Sequence, residues 1–280
     1  MQLTHGSLFS GIGGFDLAAD FLGIQNKFHC EINPFGQKIL KYYFPESESF
    51  LDITKTNFSK YANTIDILSG GFPCQPYSLN GKRKGKNDER HLWPAMLGTI
   101  RQVEPVFVVG ENVFGLLNWS NGLVFEEVCV DLENIGYEVL PVLLPACGVG
   151  APHRRDRIFF IAYNEGFRKK RIVEQNDSID IDTNADGFGL SRRSQPGNLE
   201  KEGKVGKEFF EGLRGGDFWE GFPTESVVRS GNDGVPEKLD GIAVSKWQFE
   251  SIKSFGNAIV PQIGIRLFDT IIHFLNQQQQ

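Results

Sequence analysis

Ser7-Leu8-Phe9-Ser10-Gly11-Ile12-Gly13-Gly14-Phe15-Asp16 is the stretch that decides the fold. It reads as the end of a strand, a glycine loop and the start of a helix. Glycines at such a junction let a ligand approach the backbone closely. A glycine cluster alone more often marks an ordinary turn. Glu31 adds weight, because it follows the apolar stretch Phe28-His29-Cys30 twenty residues past Gly11. A carboxylate there can accept both hydroxyls of a ribose, whereas an isolated one is usually a solvated surface group. Loop and acid together point to a nucleoside-containing cofactor. The loop does not read GxGxxG in full, so a dinucleotide is not the first choice.

Outward from this stretch, short apolar runs alternate with helical patterns. Strands are predicted near 3–9, 26–31, 64–69, 105–110, 137–144 and 157–163. Helices are predicted near 14–22, 34–43, 89–103, 121–135 and 260–276. Asn33-Pro34 is a strong helix start, with Asn as cap and Pro in the first turn. Such alternation implies an α/β fold with a mostly parallel, doubly wound, Rossmann-like sheet covered on both faces. Ligands in these sheets bind beyond the carboxyl ends of the strands.

Two further strand ends carry reactive groups. Gly70-Gly71-Phe72-Pro73-Cys74-Gln75-Pro76 follows the run Ile65-Asp66-Ile67-Leu68 and holds a thiol in a tight turn. A lone cysteine is usually a small buried hydrophobe. Two preceding glycines and a proline on either side favour a nucleophile, whose thiolate is the reactive form. Glu111-Asn112-Val113 follows Val106-Phe107-Val108-Val109. Glu111 could be an ordinary loop acid; beside a strand-end thiol it becomes a candidate proton donor or hydrogen-bond partner to a substrate ring.

These segments resemble the cytosine-C5 DNA methyltransferase family, of the bacterial or phage restriction-modification type. Phe9-Ser10-Gly11-Ile12-Gly13-Gly14 resembles its cofactor loop, Pro73-Cys74-Gln75 its nucleophile motif and Glu111-Asn112-Val113 its ENV motif. Arg155-Asp156-Arg157 resembles the end of its QxRxR motif, and Gly256-Asn257-Ala258-Ile259-Val260-Pro261 its C-terminal GN motif. Five motifs in family order, spanning nearly the whole chain, are highly specific.

The resemblance implies S-adenosylmethionine against Phe9, Gly11, Ile12, Gly13 and Gly14. Glu31 would hold the ribose and Ile32 would lie against the adenine. Asp52-Ile53 matches the family's adenine-binding pair, and Gly71, Leu92, Asn257 and Ala258 fall where further cofactor contacts lie. It also implies that Cys74 attacks C6 of a flipped-out cytosine and that Glu111 contacts N3 and the exocyclic amine. Arg155 and Arg157 would orient the base and the loop near Cys74. Two positions depart from the pattern: His153 stands where Gln is usual, and Ala258 where Ser is common. The Arg-led motif is not plain. Thr224-Glu225-Ser226-Val227-Val228-Arg229 is a candidate variant, with Arg229 as the bracing residue.

Composition sets bounds. The chain has 280 residues, a net charge of −6 and a pI near 5.5, so a uniformly basic surface is excluded. Phosphate contacts would rest on local patches such as Lys82, Arg83, Lys84 and Lys86, or Arg154, Arg155 and Arg157. Read alone, each is an ordinary surface cluster. The glycine-punctuated basic run 80–87 sits directly after the nucleophile, where a loop would close over a flipped base. Four cysteines without a C-x-x-C pair argue against a disulfide framework or a zinc site. Cys30, Cys129 and Cys147 lie among apolar residues and read as core. No signal segment and no run of membrane-crossing length is read, so a cytoplasmic protein is expected.

The expected organisation is a catalytic and cofactor-binding domain over 1–163, a small irregular target-recognition region over 164–245, and a segment over 246–280 returning to the catalytic domain. The expected partner is duplex DNA, with a cognate restriction endonuclease acting on the same site as a candidate second partner and a monomer as the default. Within the same chemistry, a tRNA-methylating enzyme is the nearest alternative, although the Cys-Phe-Thr signature associated with that branch is absent. A non-catalytic DNA- or cofactor-binding regulator would be expected to lose Cys74 or Glu111, and both are present. A nicotinamide-dependent oxidoreductase has no need of the Pro-Cys-Gln turn.

Overall fold

A computed structural model describes residues 2–73, 92–169, 238–239, 242–243 and 246–277. Its centre is a seven-stranded sheet built from β1 (Thr4–Leu8), β2 (Gln25–Cys30), β3 (Glu48–Phe50), β4 (Ile67–Gly71), β5 (Phe107–Val113), β6 (Glu138–Pro145) and β7 (Asp156–Tyr163). The strand order is β3-β2-β1-β4-β5-β7-β6. The first five strands in that order run parallel, and β7 runs antiparallel to both β5 and β6. The expected α/β, mostly parallel sheet is therefore present. A separate two-stranded ribbon pairs Lys238–Leu239 with Ile242–Ala243.

The central strands are apolar on both sides because helices cover both sides. Leu8, Leu68, Val108 and Phe160 point into one cluster, packed by Trp93 and Met96 of α3 (Trp93–Val103) and Val128 of α4 (Leu123–Asn134). Ile67, Phe107, Val109 and Phe159 point into the other, packed by Phe15 and Ala18 of α1 (Gly14–Phe21). The period-two alternation along β5 and β7 fixes which residue meets which layer.

The carboxyl-terminal helices complete the second layer. α5 (Lys246–Asn257) leads to α6 (Pro261–Gln277), whose Ile263, Leu267, Phe268, Ile271 and Leu275 are buried. α6 lies directly on α1. A Cβ on Gly264 would stand 2.9 Å from the Cβ of Ala18, so the two backbones approach where only small residues fit. By length and composition Phe249–Gln277 could cross a membrane, contrary to the expectation that no run would be long enough. The helical run is, however, interrupted at residues 258–260, and the apolar stripe of α6 is spent on the core.

The chain order reverses between β1 and β4. The helices that follow these two neighbouring strands, α1 and α3, pack on opposite faces of the sheet, the arrangement that in such sheets opens a crevice at the carboxyl edge.

Candidate active site

The glycine loop leaves β1 through Phe9, a non-glycine residue at φ 51°. Ser10 ties the loop to the end of β2: its N–H donates to the Cys30 carbonyl (3.1 Å), and its own carbonyl accepts from the Gly13 N–H (2.8 Å). The three glycines do different work. Gly11, at φ +58°, has open space where a Cβ would point. Gly13 faces Leu40 and Phe44, with a Cβ only 2.8 Å from the Phe44 ring. A Cβ on Gly14 would overlap Ile259 Cγ2 and lie 3.0 Å from the Ile259 carbonyl oxygen. Gly11 thus leaves room for a ligand, and Gly13 and Gly14 admit α2 (Pro34–Tyr43) and the segment before α6.

Glu31 stands across from this loop. Its Oε2 accepts the Gly11 N–H and its Oε1 the Asn33 N–H, each at 2.7 Å. Burial raises its pKa, and those backbone donors oppose the rise. The predicted cap is present: Asn33 Oδ1 accepts the Phe35 N–H at 2.8 Å, with Pro34 opening α2. Beyond Glu31, Ile32, Leu51, Asp52, Lys55 and Thr56 line an open groove of about 320 Å³. Ile32 and Leu51 are 66% and 54% exposed. Two bare aliphatic side chains on a groove beside a carboxylate suit a flat, apolar-faced ring.

The Asp52 carboxylate is held by the N–H (3.0 Å) and hydroxyl (2.7 Å) of Thr54 and by Lys55 (3.1 Å). The Ile53 side chain is buried in the core cluster with Phe28 and Phe58, away from the residues that line the groove. Leu51, Thr54 and Lys55 were not singled out from the sequence; no periodicity marks them, and only their adjacency to Asp52 could have done so.

The second half of the site lies where β4 and β5 run side by side. Glu111 pairs in register with Gly71, and a Cβ on Gly71 would stand 2.9 Å from Glu111 Oε2. Gly71 therefore makes room for the acid. Glu111 Oε1 meets Arg157 Nε at 2.9 Å, with both side chains under 20% exposed. Burial raises the Glu111 pKa, against the lowering pull of Arg157 and Arg155. Arg157 Nη1 also donates to the Asp156 carbonyl at 2.9 Å. A carboxyl buried yet next to a guanidinium can hold a proton and give it up to a partner that develops basicity. β5 continues to Val113, so Glu111 sits within the strand rather than at its end.

Asn112, buried, reaches the other way. Its Nδ2 donates to the Phe72 carbonyl at 2.9 Å and its Oδ1 accepts the Val113 N–H at 2.8 Å. It thus fixes the backbone two residues before Cys74, a role its place in the motif did not disclose. Cys74 itself, with the run 80–87, lies outside the described residues, as do Arg229 and most of 164–245.

Arg155, at φ 38°, donates from Nη2 to the Ala258 carbonyl at 2.8 Å and so joins the two halves of the site. The contact uses the Ala258 backbone and needs no hydroxyl there. The Asn257 side chain is exposed, and Leu92 stands at the residue before α3 without a side-chain capping bond. His153 is exposed; burial and the charges of Arg155 and Arg157 lower its pKa, so the neutral ring can both donate and accept. Cys30 is buried and Cys129 half-buried, but Cys147 is exposed, contrary to the expectation of a core residue. It lies on the single turn after β6, where apolar neighbours do not dictate which way a side chain points.

The profile of the C-5 cytosine-specific DNA methylase family matches residues 3–206. Type II methyltransferase M1.HphI of Haemophilus parahaemolyticus is 33% identical over 175 residues, covering 59% of this chain and 47% of that protein. M.BsuFI of Bacillus subtilis is 30% identical over 211 residues, or 72% and 51% of the two chains. The orphan methyltransferase M.SPRI of Bacillus phage SPR is 32% identical over 180 residues, or 62% and 40%. Among solved structures, a protein described as a prophage-encoded DNA modification methyltransferase of E. coli superposes with a TM-score of 0.50 at 26% identity, covering 60% of this chain and 48% of that one. The chain spans about half the length of the curated relatives it matches. The glycine loop, the paired acid and arginine, and a sheet of this order are thus accompanied by a profile match over most of the chain, and the chain belongs to the C-5 cytosine-specific DNA methylase family.

Proposed function

We propose that the protein transfers a methyl group from S-adenosylmethionine to carbon 5 of a cytosine flipped out of a specific duplex DNA sequence. The observation that carries this reading is the buried Glu111–Arg157 pair beside Gly71, which precedes Cys74 closely in the chain. S-adenosylmethionine, when bound, supplies an electrophilic methyl group. Glu31 suits its ribose hydroxyls, the open side of Gly11 its backbone approach, and the groove between Ile32 and Leu51 its adenine. Phe9, Ile12, Gly13, Gly14, Asp52, Ile53, Leu92, Asn257 and Ala258 complete the proposed cofactor set.

The chemistry explains the residue types. Carbon 5 of cytosine is a poor nucleophile within an aromatic ring. Addition of the Cys74 thiolate to C6 forms a carbon–sulfur bond and pushes the electron pair through the ring. Glu111 protonates N3, and the resulting enamine makes carbon 5 nucleophilic. Arg157 keeps Glu111 aimed at N3, and Arg155 holds the carboxyl-terminal segment against the site. After methyl transfer, loss of the C5 proton and departure of Cys74 restore the aromatic ring. The base must leave the stack to reach these groups, at a cost of a few kcal/mol. Duplex DNA is the proposed partner, with a cognate endonuclease acting on the same site as a second; a monomer and a cytoplasmic location complete the reading.

The test is transfer of labelled methyl from S-adenosylmethionine to unmethylated duplex DNA, with a tRNA pool in parallel. Label in DNA that is lost with Cys74→Ser, while cofactor binding stays near normal, supports the reading. Label confined to tRNA, or strong turnover by Cys74→Ser, overturns it.

A further inference from the structure

The opening of α2 meets the glycine loop and the acid at one point, Gly36. This residue is buried inside the helix and is not among the glycines with positive φ. Glycine is a poorer helix former than alanine there, so conformation gives no reason for it. Space gives one. A Cβ on Gly36 would stand 2.5 Å from the Gly11 carbonyl oxygen and 3.0 Å from Glu31 Cγ. The first is a backbone atom of the loop and the second belongs to the acid. A methyl group at this position cannot be housed without moving one or the other.

Glu31 is fixed at its backbone as well as at its carboxylate. Its N–H donates to the Phe50 carbonyl of β3 at 3.0 Å. Its carbonyl accepts from Gln37 Nε2 at 2.8 Å. Gln37 is itself anchored, since its N–H donates to the Asn33 carbonyl at 3.0 Å. The start of α2 therefore governs the acid in three ways: Asn33 through the carboxylate, Gln37 through the carbonyl and Gly36 by leaving room. Each oxygen of a carboxylate can accept more than one hydrogen bond. Oε2 and Oε1 each hold one backbone N–H, from Gly11 and Asn33, and each keeps a lone pair for a further donor. Two neighbouring hydroxyls need just such a pair of acceptors, already aimed before the ligand arrives.

We propose that Gly36 and Gln37 are positioning residues that give the cofactor site its preference for a ribose: they hold Glu31 so that both carboxylate oxygens present their remaining lone pairs to the two ribose hydroxyls. The inference rests on the reading of Glu31 as the ribose acid. Neither residue is assigned a contact with the cofactor. Gln37 acts through Glu31, and Gly36 through Glu31 and the Gly11 carbonyl.

The experiment is calorimetric titration of the full chain with S-adenosylhomocysteine and with its analogue lacking both ribose hydroxyls, in wild type, Gly36→Ala and Gln37→Met. The readout is the ratio of the two Kd values within each protein, which a general loss of stability leaves unchanged. Wild type is expected to prefer the ribose ligand by about tenfold or more, as hydrogen bonds to a charged acceptor do. Gly36→Ala is expected to bind the ribose ligand about tenfold or more weakly, because the added methyl overlaps backbone that cannot rotate aside. Its ribose preference should fall by at least about threefold, the share of one hydrogen bond. Gln37→Met keeps the side chain's length without its donor, and the same fall of about threefold or more in preference is expected. It tests the proposal even if Gly36→Ala does not fold. A wild-type ratio in either variant overturns the inference while leaving Glu31 at the ribose. A wild type that binds both ligands equally overturns the reading of Glu31, and the inference with it. No binding of either ligand by wild type overturns the cofactor reading itself.

Discussion

At the scale of single residues, the site depends on groups whose neighbours are as telling as they are. Asn112 holds the Phe72 carbonyl, and through it the backbone leading to Cys74. Asn112→Ala would leave that buried carbonyl without its donor, at about 1–3 kcal/mol. Because the loss falls on the backbone that leads to the proposed nucleophile, Cys74, the methyl-transfer rate should drop about tenfold or more while S-adenosylmethionine affinity stays within about twofold. Equal losses in single-turnover rate and cofactor Kd would place Asn112 in the cofactor site instead. Asp16 makes a second prediction that needs no ligand: it is buried in the first turn of α1, and neither carboxyl oxygen has a hydrogen-bond partner among the described residues. Its folded-state pKa is raised from 3.8 to about 7, so the folded protein binds the proton more tightly than the unfolded chain does. Stability from this group is therefore fully present below about pH 4 and is lost as pH rises to about 7. Asp16→Asn removes that loss. Its gain over wild type in denaturant melts should grow through this window toward a limit of about 4 kcal/mol and then level off. A gain independent of pH would mean that Asp16 is not the group that titrates.

At the scale of elements, most of the framework was legible because the signals were strong and local. The Asn33-Pro34 start of α2 fixes both a cap and a first-turn φ, and α2 spans the residues read from it. The run at 106–109 is apolar on both faces, as a central strand must be, and it became β5. β3 escaped because three residues with two exposed side chains carry no alternation. α5 escaped because Gly256-Asn257 reads as a breaker and the turns before it are polar. Nor could the sequence tell which glycines face a ligand and which face protein, since both needs select the same residue. Gly11 meets open space, and Gly14 and Gly264 meet Ile259 and Ala18. Gly264→Leu should accordingly force α1 and α6 apart, lowering stability by about 1–3 kcal/mol as over-packing does. Because α1 carries the glycine loop, cofactor affinity should fall with it. An unchanged Tm would show that the helix contact yields without cost.

At the scale of the molecule, two halves of a chemistry are joined by one crevice. The loop after β1 and the acid just past β2 form one half; the end of β4 and Glu111 beside it within β5 form the other. Arg155 spans to the carboxyl-terminal segment that packs on α1, so the distant GN motif closes the site by packing. The family, the sheet and the residues Glu111 and Arg157 could be read from motifs in order, but not that the two pair. What was not readable is geometry that neighbours in space decide: the exposed pair Ile32 and Leu51, the Asn112 bridge and the orphaned Asp16. A net charge of −6 leaves the proposed DNA affinity to local basic groups.

The most direct measurement is covalent capture on duplex DNA in which cytosine is replaced by 5-fluorocytosine. Fluorine at carbon 5 cannot leave as a proton does, so the adduct formed through C6 would persist after methyl transfer. The account predicts a denaturant-stable protein–DNA complex that requires S-adenosylmethionine, maps to Cys74 and is absent in Cys74→Ala. Methyl transfer to ordinary duplex DNA without any such complex, or a complex that survives Cys74→Ala, would contradict it.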